Sequence, residues 1–84
     1  MKIYDFNGKK NICGSRIHEA RRKQKITQSE LAAKLQLEGV IIERDSISRI
    51  EIGTRFVADY ELRILSKILN VSVDWLLDIW YCLL

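Results

Sequence analysis

The chain has 84 residues, of which 48% are hydrophobic and 30% charged, with no proline and four glycines. That length suits a single hydrophobic core, and the composition excludes a disordered or collagen-like chain and favours helices over a many-turned β fold. The net charge of +3 is unevenly spread: residues 1–36 carry nine Lys/Arg against three acids, residues 37–84 five against eight, so the basic N-terminal part suggests a polyanionic partner.

Residues 1–10 read as a short extended arm, with an apolar alternation at Ile3, Tyr4 and Phe6 running into the turn dipeptide Asn7-Gly8. Asn11 can cap a first helix, and Ile12, Ile17 and Ala20 fall at spacings that share a face as far as Gln24. Thr27 caps a second helix, Glu30 completes a capping box three residues on, and Leu31, Ala32 and Leu35 form the buried stripe. Leu37, Val40, Ile41 and Ile42 could form a strand-like run, but Gly39 and the flanking charges make this stretch a helix end plus connector. From Arg44 to Ile52 the apolar positions Ile47 and Ile50 lie three apart, and Gly53 sits where a left-handed stop is wanted. Leu62, Leu65, Ile68 and Leu69 mark a fourth helix over 59–69 that ends at Asn70. Ser72 caps a last helix with Asp74 in its first turn and Trp75, Leu76, Ile79, Trp80 and Leu83 on its apolar side. The expected architecture is all-α: an arm (1–10), a five-helix domain (11–77) with an extended C-terminal helix, and an apolar tail (78–84).

Three motifs occur in order: Thr27-Gln28-Ser29-Glu30-Leu31-Ala32, Ser46-Ile47-Ser48-Arg49-Ile50-Glu51-Ile52-Gly53 and Leu69-Asn70-Val71-Ser72-Val73-Asp74-Trp75-Leu76. Together they resemble the Cro/C1-type, lambda-repressor-like helix-turn-helix family over residues 14–77. The resemblance implies a domain that binds operator DNA, with helices two and three as the helix-turn-helix. A recognition helix needs short or forked polar side chains at its N-terminal turns and an apolar opposite face. Arg44, Asp45, Ser46, Ser48 and Arg49 meet that need, and Arg49 can fork onto guanine O6 and N7. Asp45 is repelled by phosphates unless it accepts from cytosine or holds a neighbouring arginine, the role favoured here.

By similarity, Gln28 lies against the sugar-phosphate backbone, and Thr54 and Arg55 belong to the loop after the recognition helix, which touches phosphates. Arg21 and Glu51 match positions that often pair helix one to the end of helix three. The departure from the family lies between Leu35 and Arg44, where about five extra residues imply another turn of helix two. That turn is expected to end near Glu38 with Gly39 as the stop, and Val40 to Ile42 to pack on the core.

His18, the one histidine, has no HExxH or triad around it, so no enzyme is expected. Cys13 and Cys82 form no CxxC pair, so neither a metal nor another cofactor is implied, and a reduced, cytoplasmic setting fits. The longest charge-free apolar run, Ile79 to Leu84, is far below the roughly 20 residues that span a bilayer, and no secretory leader is read. Trp75 is expected in the core. Trp80, Tyr81, Leu83 and Leu84 suggest a partner surface, either a homodimer contact or another protein. The sequence therefore reads as a double-stranded-DNA-binding regulator, a repressor acting as a dimer. An antitoxin-like protein that also holds a toxin and an interaction module without DNA binding stand as alternatives.

Overall fold

The structure is a computed structural model that describes residues 5–79. Among these, five helices follow one another: α1 (Gly14–Lys23), α2 (Gln28–Leu37), α3 (Arg44–Ile52), α4 (Asp59–Leu69) and α5 (Val73–Leu76). Each contributes to one core. Ile17 from α1, Leu31 and Leu35 from α2, Ile47 and Ile50 from α3, Leu65 and Leu69 from α4, and Leu76 from α5 are at most 1% exposed. Helix α3 packs on both α1 and α2, so its orientation is fixed by two neighbours. No helix among the described residues is long and apolar enough to cross a membrane.

The helix starts follow from local chemistry. At α2 the Thr27 hydroxyl accepts from Glu30 N at 3.0 Å and the Glu30 carboxylate accepts from Thr27 N at 2.8 Å, satisfying two otherwise orphaned donors. At α5 the Ser72 hydroxyl accepts from Trp75 N at 3.0 Å. Helix α4 has only half such a device: Glu61 Oε1 accepts from Ala58 N at 2.9 Å, but Ala58 has no oxygen to return the bond. Asn11 Oδ1 accepts from Gly14 N at 2.8 Å, while its Nδ2 donates to the carbonyls of Ile50 (3.1 Å) and Arg55 (2.8 Å). It thereby ties the start of α1 to the end of α3. The approach is tight enough that a Cβ on Gly14 would lie 2.1 Å from the Ile50 carbonyl oxygen.

All five helices end alike. A residue with positive φ donates to the carbonyl three residues back, and the next residue donates to the carbonyl five back. The residues with positive φ are Lys25, Gly39, Gly53, Asn70 and Asp78. After Gly39 the connector buries Val40 and Ile42 and turns Ile41 outward, 90% exposed.

Three features differ from the sequence reading. Ile12 points outward and Cys13 takes the buried place beside Ile17, because the first helical turn begins at Gly14 rather than at Ile12. The expected Asn7-Gly8 turn is present, but it closes a tight hairpin where an extended arm was expected: Phe6 and Lys9 exchange backbone bonds of 2.7 and 3.0 Å around Asn7 and Gly8, both at positive φ. The last helix does not run on: Asp78 closes it after Leu76, leaving Ile79 43% exposed. Trp80, Tyr81, Leu83 and Leu84, the expected partner surface, lie outside the described residues, as do Ile3 and Tyr4.

Candidate nucleic-acid interface

Helix α3 turns Ile47 and Ile50 into the core, which leaves the opposite side to solvent. Arg44, Asp45 and Arg49 are exposed there, Ser48 is half-buried between them, and Ser46 is half-buried beside Ile47. Arg44 Nη2 donates to Asp45 Oδ1 at 3.0 Å, an exposed pair in which the aspartate restrains the arginine. Such a pair contributes at most about 1 kcal/mol to stability, so its effect is on where the guanidinium points. The Arg49 guanidinium has no hydrogen-bond or ion-pair partner among the described residues.

Below this face lies a charged cluster that joins three helices. Glu51, its side chain 5% exposed, accepts from Arg21 Nε at 2.7 Å and Arg21 Nη2 at 3.0 Å, and Arg21 Nη1 donates to the Ile26 carbonyl at 2.9 Å. His18 Nδ1 is 2.7 Å from Glu51 Oε1 and 3.1 Å from Arg21 Nη2; with its hydrogen on Nδ1 the ring donates to the carboxylate, the shorter of the two contacts. Gln28 Nε2, at the first position of α2, donates to the same oxygen at 3.1 Å. Burial raises the Glu51 carboxyl, but hydrogen bonds from Arg21, His18 and Gln28, with the Arg21 charge, outweigh it and hold the group below its usual range. The arrangement fixes α1 and α2 against the end of α3, and so the angle at which α3 is presented.

The loop after α3 is held by bonds within the fold. Thr54 N donates to the Arg49 carbonyl at 2.9 Å and closes the helix, so this amide does not point to a ligand. The Arg55 guanidinium forks onto Glu61, Nη1 to Oε1 and Nη2 to Oε2, both at 3.0 Å, and Nη1 also meets the Phe56 carbonyl at 3.0 Å. Glu61 is 4% exposed. Burial raises its carboxyl, while the bonds from Arg55 and the Ala58 amide prevail and lower it. The Arg55 guanidinium is raised in turn by this bond. The structural role of Glu61 has no signal in the sequence, where an acid in a helix's first turn ordinarily looks like a solvated complement to the dipole.

The arrangement is one of presentation, polar side chains standing on the outer face of a helix that is anchored from behind. Comparison with known proteins agrees with that geometry. A family profile described as helix-turn-helix matches residues 17–76. Comparison with the curated proteins gives no match. Among solved structures, the chain is similar to the P22 c2 repressor protein, whose crystal structure is in complex with synthetic operator 9T in the presence of Tl+. The TM-score is 0.68 and the identity 31%, over 80% of this chain and 94% of that one. With its five helices around one core, α2 and α3 held together at a fixed angle and this match over most of its length, the chain belongs to the Cro/C1-type helix-turn-helix family, whose members are DNA-binding regulators and not enzymes.

Proposed function

We propose that the protein is a sequence-specific double-stranded-DNA-binding transcriptional regulator of repressor type that acts in the cytoplasm as a homodimer on an operator. The observation that carries this reading is the outward face of α3, where Arg44, Asp45, Ser48 and Arg49 stand on a helix whose other face is anchored by Ile47 and Ile50. A helix so built fits the major groove, with Arg49 free to fork onto a guanine and the serines able to meet any base edge. The similarity to a repressor in complex with its operator supports the same docking. Gln28, at the N-terminus of α2, offers its backbone N–H to a phosphate while its side chain stays on Glu51.

A homodimer follows from information content, because one recognition helix reads only a few base pairs, and paired half-sites about 34 Å apart supply the rest. Repression needs no chemistry here; occupancy of the operator suffices.

The test is fluorescence titration of the full chain against random-sequence duplex at several salt concentrations, followed by selection from a random duplex library. The expected result is binding that weakens steeply with salt, and a selected site with two related halves. A flat salt response, or selection that enriches no sequence, refutes the proposal and favours an interaction module without DNA binding.

A further inference from the structure

The hairpin at residues 6–9 precedes the stretch that matches the family, and the segment that follows it is bound to the loop after α3. Lys10 N donates to the Gly53 carbonyl at 2.8 Å, and Asn11 reaches the Ile50 and Arg55 carbonyls. The Lys9 stem lies directly over Gly53: a Cβ there would be 2.9 Å from Lys9 Cδ. The two lysines then differ. Lys10 Nζ bonds to Asp5 Oδ1 at 2.8 Å and sits 5.4 Å above the Phe56 ring. Lys9 is exposed, and its ammonium has no partner among the described residues.

We propose that Lys9 grips a DNA phosphate beside the Gly53–Arg55 loop, so that the hairpin extends the interface beyond the helix-turn-helix; this rests on the DNA-binding reading above. The loop by itself offers little free positive charge, since the Thr54 amide closes α3 and the Arg55 guanidinium is neutralised by Glu61. Lys9 supplies a cation where the loop lacks one. Packing of its methylenes on Gly53 restrains the stem before DNA arrives, so fewer rotamers are lost when the ammonium meets a phosphate. Phosphate is the ligand the chemistry selects, because a lysine acts as a point charge with three rotatable donors and has no fork to read a base edge.

The experiment measures affinity of the full chain for random-sequence duplex across salt, for wild type, Lys9→Met, Lys9→Arg and Lys10→Met, with thermal melts to establish that each variant is folded. Lys9→Met keeps an apolar stem and removes the charge. The expected result is binding about three- to tenfold weaker at 0.1 M salt, with the log–log salt slope shallower by about 0.9, the signature of one lost phosphate contact. Lys9→Arg should restore both, and Lys10→Met should leave the slope near the wild-type value. A wild-type slope in Lys9→Met, or an equal loss in Lys10→Met that traces to net charge alone, overturns the proposal. Wild-type protein with no salt-dependent affinity for duplex removes the DNA-binding reading itself, an outcome distinct from a wild type that binds and a Lys9 that is silent.

Discussion

Removing the Glu51 carboxylate should be among the most damaging single changes in this fold. Glu51→Ala takes away both carboxylate acceptors of Arg21, whose side chain is 9% exposed and would keep its bond to the Ile26 carbonyl and a 3.1 Å contact with His18 Nδ1. Breaking a buried pair by deleting one partner costs about 3 to 5 kcal/mol, because the remaining charge is left desolvated. One retained hydrogen bond and the partly open His18 side of the cluster reduce that, so about 3 kcal/mol is expected. For a domain of this size about 1 kcal/mol shifts the melting temperature by roughly 4 to 8 °C, so the fall should exceed about 10 °C. Urea denaturation at pH 7 measures it directly. The double variant Arg21→Met/Glu51→Leu should recover most of the loss, since replacing a buried pair by apolar groups is often near neutral. It should still bind DNA less well than its stability implies, because Gln28 loses its anchor and the polar link between the start of α2 and the end of α3 is gone. A Glu51→Ala melting temperature within about 2 °C of wild type would show that Arg21 is not left desolvated, since by the same scaling it means a loss under roughly 0.5 kcal/mol.

Other consequences are independent of that cluster's removal. Glu51 and Glu61 both titrate below their usual range in the folded protein, so their stabilisation is complete above the unfolded-state value of about 4.3 and is lost as pH falls through their lower folded values. Melting temperature should therefore decline on acidification below about pH 4.3, and Glu61→Gln should flatten that decline. Gly14→Ala improves helix propensity by about 0.5 to 1 kcal/mol but drives a methyl into the Ile50 carbonyl, so a net loss of about 2 kcal/mol or more is expected by denaturation. Ala58→Ser supplies the hydroxyl that α4 lacks, and the same assay should show a gain of about 1 kcal/mol.

How far the sequence could be read depended on whether the deciding interaction was local. The capping box at Thr27 and Glu30, the hydroxyl cap at Ser72 and the stops at Gly39, Gly53 and Asn70 involve residues a few positions apart, and each residue type announces its role. The connector was legible in part for the same reason: Gly39 ends α2 and Val40 and Ile42 pack on the core as expected, but Ile41, expected there too, turns outward because an extended backbone alternates its side chains. Lys25 and Asp78 adopt the same left-handed stop without any such signal, so the end of α5 was misplaced while the apolar spacing ran on past it. In the candidate site, the exposed face of α3 followed from the burial of Ile47 and Ile50. What Arg55 and the Gln28 amide bind did not, because their partners, Glu61 and Glu51, are set by packing between helices. The tight contact of Gly14 with Ile50 and the seat of Lys9 on Gly53 bridge 36 and 44 positions of sequence, and no spacing rule reports them.

Whether the outward face of α3 reads bases is decided by measuring the affinities of wild type and Arg49→Ala for the selected site and for random duplex at one salt concentration. If Arg49 forks onto a guanine, the loss on the selected site should exceed the loss on random duplex by about 1 to 3 kcal/mol, with discrimination relaxed at one base pair. Equal losses on both duplexes would contradict base reading and reduce Arg49 to a phosphate contact.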